Sequence, residues 1–522
     1  MWAIRGTLLY YKKCRGENMF IKKIEIPSFR KLKNFKLDFS NTNKLDSDKN
    51  MNLTIIIGEN GTAKTTIFEA IIGCFLNKEH FNQIGGVEYS FEGKDFVSNE
   101  NKAPIPKKII VSTYTPIDKL EEVTKELEHT RELRKTNIDR INLQHIATRI
   151  LKHYVFEGKD DINSIFNYVG YRNPDLHLEI NSNKLGSISE VANRAVARLM
   201  EKYEDVSYLF EDEYKKNDIN DVLDYYQKEI DFFKESLEKK GYKIGVRVSL
   251  KKGMASKFDA YLIKRIYEWE KKLEICALEV LFVLYKMKLL LSLAKPSYSF
   301  DQKKQLFLPI DVFNLYHGGA EALRKDLKLL EICSTSLWKE VCVVTENNKL
   351  PLSMLSSGEL SLFLRIFDLY DYVEHESIIL IDEPETHLHP KWIKGYVKIL
   401  NELLGKKRCH VIIATHSPLI VSDVPKNSIV ALKNFGGFIE QVKIRERTLG
   451  LNYDEILSEV FGLDDDKGNM IHEYAKLIEK ALKNDDFDKA LEVYSQMADS
   501  DIRYKLYSKL KAYQEQKGER DV

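Results

Sequence analysis

The chain is short of several things, and each shortage narrows what it can be. Its six cysteines, Cys14, Cys74, Cys276, Cys333, Cys342 and Cys409, are scattered and form no C-x-x-C pair. That spacing argues against a zinc site and for reduced, buried thiols. An excess of one charge sign is missing too: 80 Lys and Arg stand against 79 Asp and Glu. No global basic field draws the chain to nucleic acid, so any such contact needs a local patch. The most apolar span, 277–294, contains Glu279, Lys286 and Lys288. It reads as a buried helix, not a membrane span. Residues 1–18 lack the apolar core of a secretory signal, so the expected compartment is the cytoplasm, with no membrane partner. What remains is a chain of 522 residues, 43% hydrophobic and 30% charged, enough for two to four domains with ample core.

The most informative stretch is Ser377 to Pro390, S-I-I-L-I-D-E-P-E-T-H-L-H-P. A short apolar run from Ile378 to Ile381 predicts a strand buried on both faces, as in a parallel sheet. Asp382 and Glu383 then fall at its carboxyl end, where open α/β sheets hold their ligands. One carboxylate there can hold Mg²⁺ and a second can orient a water.

A second buried strand, Leu53 to Ile57, leads into Gly58-Glu-Asn-Gly-Thr-Ala-Lys-Thr-Thr66 and an apolar helix. Strand, glycine-bearing loop, Lys-Thr and helix form the context of a phosphate-binding P-loop. Asn60, Gly61, Ala63, Lys64, Thr65 and Thr66 become candidate ATP contacts. Lys64 would bridge the β- and γ-phosphates, and Thr65 would join Asp382 on Mg²⁺. The position before the lysine, usually glycine, is Ala63. If it needs positive φ, alanine costs about 1–2 kcal/mol there; if it is helical, the methyl is harmless.

Other segments complete the pattern. Residues 20–39 alternate in the manner of two antiparallel strands, interrupted at Pro27, with Arg30 at the turn as a surface or phosphate-contacting arginine. Lys108 to Tyr114 reads as a further buried strand, with no well-placed glutamine after it to sense a γ-phosphate. The interval 119–350 reads as mainly helical, with a solvated charged face over 120–137 and an apolar stripe over 258–291. Thr345 to Pro351 reads as a return loop. Leu355-Ser-Ser-Gly-Glu359 puts hydroxyls and glycine at a helix start, which suits an anion as well as a cap. A further buried strand from Cys409 ends at Thr415 and His416, which brings His416 to the same ligand if the sheet is parallel. Residues 444–522 are helical and charged, and Asp464 to Asp466 is read as a solvated run.

Taken together, Gly58–Thr66, Leu355–Glu359, Asp382–Glu383 and His416 resemble the ABC-type ATPase head, and more narrowly its SMC, RecF and OLD branch. The fold implied is α/β: a mixed sheet flanked by helices, with a large helical insertion and a helical tail. The resemblance divides the chain into an extension (1–18), a P-loop lobe (19–118), the insertion (119–350), a second lobe (351–443) and the tail (444–522). It implies ATP and Mg²⁺ as cofactors, Asp382 as the metal acid, Glu383 as general base, His416 as switch histidine, and Arg30 near the phosphates. It also implies a head-to-tail homodimer, in which Ser356, Ser357 and Gly358 of one chain meet the γ-phosphate held by Lys64 of another, with His387 to His389 at the contact. The tail carries no paired acids of a nuclease domain. Size and architecture are similar to the ATPase subunits of Septu-type or retron-associated anti-phage systems, which work with a separate HNH nuclease and could reach DNA through that complex. A repair ATPase binding DNA directly, and a slow ATP-binding scaffold, remain alternatives.

Overall fold

Three runs of β-branched and leucine residues build the centre of a seven-stranded sheet. They are β3 (Met51–Gly58), β13 (Ser377–Asp382) and β14 (Cys409–Ala414), and β13 and β14 are buried at every position. Side chains on both faces are apolar because both faces are covered. The order is β16 (Phe438–Val442), β15 (Ile429–Phe435), β3, β14, β13, β6 (Lys108–Thr113) and β7 (Thr130–Leu133). All neighbours are parallel except the β15–β16 hairpin. This computed structural model describes residues 19–39, 50–76, 85–100, 103–113, 130–133, 142–181, 216–246, 277–298, 304–332, 337–345, 349–444, 447–461 and 470–518. The chain divides into two units, Met1–Ile444 and Arg445–Val522.

One face of the large sheet packs on helix α1 (Lys64–Leu76) and on an antiparallel four-stranded sheet. The latter runs β2 (Leu32–Asp38), β1 (Phe20–Phe29), β4 (Gly86–Phe91), β5 (Lys94–Val97). Ile378, Leu380, Ile412 and Ala414 join this core, as the two-residue period of a strand requires. Pro27 does not interrupt β1, contrary to the sequence expectation. The β1–β4 ladder ends at the Glu25–Gly86 pair, so the missing N–H of Pro27 faces no partner strand there. The turn falls at Arg30, with φ 51°. His410 of β14 pins the two sheets together. Its Nδ1 accepts from Ile21 N at 3.1 Å, so Nε2 carries the proton and donates to Thr54 Oγ1 at 2.9 Å. Burial holds its pKa down to about 3, so it is a neutral structural histidine.

The interval expected to be mainly helical also contains a second sheet. It is five-stranded and antiparallel, in the order β12 (Lys349–Pro351), β11 (Trp338–Val344), β8 (Asp175–Ile180), β10 (Lys304–Pro309), β9 (Lys295–Tyr298). Its strands are short, and β8 pairs with segments more than a hundred residues away, so local periodicity did not reveal it. Two smaller expectations change with it. Thr130–Leu133, within the run read as a helical face, pairs as β7, and Lys349–Pro351, within the return loop, pairs as β12. Most of the 258–291 stripe and the rest of 120–137 lie outside the described residues.

The helices of this region are α2 (Leu143–Phe156), α3 (Lys159–Val169), α4 (Lys216–Lys239), α5 (Ala277–Leu291) and α6 (Gly319–Ile332). Lys286 of α5 and Asp326 of α6 form a buried ion pair, to which Tyr316 Oη donates at 2.5 Å. Beyond them come α7 (Ser357–Tyr372), α8 (Pro390–Lys394), α9 (Tyr396–Leu404) and α10 (Pro418–Val421). Arg149 of α2 grips α7: Nη2 meets Asp368 Oδ1 at 2.7 Å and Nε meets Asp371 Oδ2 at 2.6 Å. His153, one turn on, meets Asp371 Oδ1 at 2.5 Å.

The second unit contains α11 (Tyr453–Glu459), α12 (Met470–Lys483), α13 (Phe487–Ser495) and α14 (Asp501–Gly518). The last three share a small core of Ile478, Ala481, Ala490, Met497, Leu506 and Leu510. No described helix is long and apolar enough to cross a membrane. Cys74, Cys342 and Cys409 are free and buried; the other three cysteines lie outside the described residues.

Candidate nucleotide-binding site

Parallel pairing brings three strand ends to one edge. Asp382 pairs with Ala414, and Ala414 with Ile56, so the loops after β13, β14 and β3 leave the sheet side by side. The loop after β3 turns tightly at Gly58, where an added Cβ would lie 2.7 Å from Thr62 Oγ1 and 2.8 Å from Leu432 O. Gly61 follows at φ 85° and Ala63 at φ 60°. The question left open by the sequence is therefore settled: Ala63 occupies the left-handed region where glycine is usual, and its methyl carries a strain of about 1–2 kcal/mol. Its carbonyl accepts from Ile67 N at 3.0 Å, opening α1. Asn60 and Gly61 are exposed, and Thr65 and Thr66 are half-buried.

Lys64 is buried, with Nζ donating to Gly58 O at 3.0 Å, Glu59 O at 3.4 Å and His416 Nε2 at 2.6 Å. Burial holds its pKa down to about 8, against the pull of Glu383, Asp382 and Glu385. His416 is itself held below its ordinary value by burial and by the Lys64 cation, so its neutral Nε2 is the acceptor. The same nitrogen lies 3.9 Å from Glu383 Oε1. Thr65 Oγ1 donates to Asp382 Oδ2 at 2.7 Å. Burial pushes Asp382 up to about 6, Thr65 opposes the rise, and Glu383 adds to it. Glu383 has φ 47° and His387 φ 63°, so the loop after β13 is bent through strained backbone.

The oxygen donors fit Mg²⁺. A hydroxyl and a buried carboxylate whose charge is poorly compensated make a hard, cation-seeking pair. Among the described residues no group of three or more His, Cys, Asp or Glu could hold a metal unaided. An ion at Thr65 and Asp382 would need water and phosphate oxygens, the usual habit of Mg²⁺.

Other expected site residues sit elsewhere. Arg30 Nη1 pairs with Glu69 Oε1 at 2.9 Å, and Glu69 is five residues into α1. That is about 7.5 Å along the helix axis from Lys64, so in this structure the guanidinium engages the flank of α1. Ser356 caps α7: its hydroxyl accepts from Glu359 N, and the Glu359 carboxylate accepts from Ser356 N at 2.9 Å. Ser357 and Gly358 form the first turn, with Gly358 against Trp392. His389 caps α8 by accepting from Lys391 N, and His387 is exposed. Residues 114–129, where a γ-phosphate sensor would follow β6, lie outside the described residues.

Two groups that the sequence did not single out stand out in the geometry. Glu385 binds the loop after β14, and Arg365 of α7 donates to Thr386 O at 3.1 Å, tying α7 to the loop after β13. Glu385 was visible as the second acid of D-E-P-E, and Arg365 as the lone cation in an apolar helix.

The profile of a family described as an AAA ATPase domain matches residues 19–421. Among curated proteins, the Septu protein PtuA of Bacillus thuringiensis is 30% identical over 176 residues, covering 30% of this chain and 43% of that one. Endonuclease GajA of Bacillus cereus (strain HuB5-5) is 26% identical over 445 residues, covering 77% of this chain and 58% of that one. This chain thus spans less than two thirds of either relative. Among solved structures, a Pyrococcus furiosus Smc head domain bound to the C-terminal domain of ScpA aligns at 12% identity and TM-score 0.29, over 81% of this chain and 96% of that one.

Proposed function

We propose, for a chain that belongs to the AAA ATPase domain family, that it binds and hydrolyses ATP with Mg²⁺ and uses that cycle to govern a partner effector in anti-phage defence. The observation that carries the reading is the convergence of Lys64, Thr65, Asp382, Glu383 and His416 at one sheet edge. Lys64 would exchange its carbonyl and imidazole partners for phosphate oxygens. The backbone N–H groups of the Gly58–Thr66 loop and the α1 N-terminus add positive potential. Thr65 and Asp382 would hold Mg²⁺, which supplies charge neutralisation on the phosphates. Glu383, 3.9 Å from His416 Nε2, would accept the proton of an attacking water. Ser356, Ser357 and Gly358 of a second copy would complete the site in a head-to-tail dimer.

Similarity to the Septu protein PtuA and to Endonuclease GajA favours a defence role with a nuclease partner, expected to be of HNH type. The tail is the candidate docking surface, since Met470, Leu477, Leu491, Tyr504 and Tyr507 expose apolar side chains there. Nucleotide titration and phosphate release test the core of this reading. Lys64→Ala should lose at least ~100-fold in ATP affinity. Glu383→Gln should bind ATP normally and lose ~10²–10⁴-fold in turnover. A parent protein that binds no ATP, or a Lys64→Ala variant that binds as well as the parent, overturns it. Deletion of 445–522 should abolish co-purification of the partner while ATP binding persists.

A further inference from the structure

The loop after β13 and the loop after β14 are joined by one carboxylate that the catalytic reading leaves without a role. Glu385 Oε1 accepts from Thr415 Oγ1 at 2.7 Å and from His416 N at 2.7 Å. Thr415 Oγ1 in turn accepts from Ser417 N at 2.9 Å. Three successive residues, 415 to 417, are therefore fixed by a single side chain from the neighbouring strand's loop. The backbone supports the same register: Glu383 N donates to Ala414 O at 2.8 Å, and Thr415 N to Ile56 O at 3.1 Å. Thr415 is fully buried, so its hydroxyl has no exchange with solvent to replace Glu385. Burial raises the Glu385 pKa, while the bonds from His416 N and Thr415 counter it.

From this bridge we infer that Glu385 is the positioning residue for His416 and, through it, for Lys64 and Glu383. The imidazole reaches Lys64 at 2.6 Å and Glu383 at 3.9 Å only while the backbone at 416 is held. The bridge also joins the strand bearing Asp382 to the strand bearing the histidine. Any shift of the loop after β13 is thereby passed to the imidazole. The inference rests on the ATPase reading for its kinetic consequence and on geometry alone for its effect on His416.

Two readouts keep those apart. The His416 imidazole titration, followed by ¹⁵N NMR of histidine-labelled protein without nucleotide, tests position. Turnover and nucleotide affinity test consequence. Glu385→Ala should bring the His416 titration upward to near its ordinary value, and should lower kcat ~10–100-fold with ATP affinity within about twofold of the parent. Glu385→Gln keeps one acceptor oxygen and should recover most of both. Thr415→Val removes one donor at similar volume and guards against a Glu385→Ala that fails to fold; it should show a smaller effect of the same sign. A His416 titration unmoved in both Glu385→Ala and Thr415→Val overturns the inference. A parent without turnover, in which the titration still moves, overturns the ATPase reading and leaves the positioning role standing.

Discussion

Two clusters of buried charge lie within the larger unit, built from the same ingredients and tuned in opposite directions. At the clamp between α2 and α7, Arg149 meets Asp368 and Asp371, and His153 meets Asp371 and Glu157. Burial disfavours each charge there, but the partners outweigh it. His153 is held above its ordinary value and Asp371 below, and the His153 bond draws Glu157 down to about 2. At the nucleotide site the balance is reversed. Burial wins over partners, so Lys64 falls to about 8 and Asp382 rises to about 6. Charges satisfied by one another hold a structure together; charges left short are poised for a ligand that brings the missing countercharge.

The sharpest way to break the comparison is to remove one cation from each cluster. Arg149→Met strands two carboxylates that are mostly buried and should cost ~3–5 kcal/mol in denaturant unfolding. Lys64→Met removes a poorly compensated charge and should cost less than about 1 kcal/mol, or stabilise, while abolishing nucleotide binding. Equal losses at the two sites would show that the clusters do not differ.

The pH dependence of stability sharpens the contrast. Asp382 has its folded pKa raised from the ordinary 3.8 to about 6. Between those values the folded state holds the proton that the unfolded state has lost, so stability falls as pH rises through that window. The whole effect is about 3 kcal/mol at neutral pH. Asp382→Asn should abolish that slope and be the more stable protein at pH 7, by melting temperature across pH 4–7. At the clamp the shifts stabilise the fold instead, and its two groups lose that stability at opposite ends of the pH range. His153 is raised, so its contribution is full below its unfolded value and is lost as pH rises through the folded one. Glu157 is lowered, so its contribution is present above the usual carboxylate range and is lost as pH falls toward 2. A parallel slope in parent and Asp382→Asn would mean that Asp382 is not the buried, proton-seeking group of the site.

Sequence carried the nucleotide site further than the clamp, for a physical reason. The P-loop and the acid pair follow strands whose apolar runs are local signals, and parallel pairing then fixes where their ends meet. Lys64, Asp382 and His416 could be placed on one edge before their distances were known. Arg149 and Asp371 are 222 residues apart and sit on helices with ordinary amphipathic patterns. Nothing local marks either as a partner. The five-stranded sheet was hidden likewise, because antiparallel partners such as β8 and β11 are far apart in the chain. Arg30 shows the limit from the other side. Its place at the turn was legible, but its bond to Glu69 depended on the depth at which α1 packs under β1.

The two clusters differ in backbone as well as charge, and here the smallest effect is the most discriminating. No clamp residue has positive φ, whereas Ala63, Glu383 and His387 all do. At Ala63 the strain can be released without touching any side-chain contact to the ligand. Ala63→Gly removes a left-handed Cβ worth about 1–2 kcal/mol. It also loosens the unfolded chain, which returns about 0.4–1 kcal/mol. The net gain should be about 0.5–1 kcal/mol, read as a higher denaturation midpoint at unchanged slope. ATP affinity should stay within about twofold of the parent, because the loop already has the shape that glycine would give it. A loss of stability would mean that residue 63 relaxes to a right-handed conformation in solution, and that the loop is shaped by the nucleotide and not held ready for it.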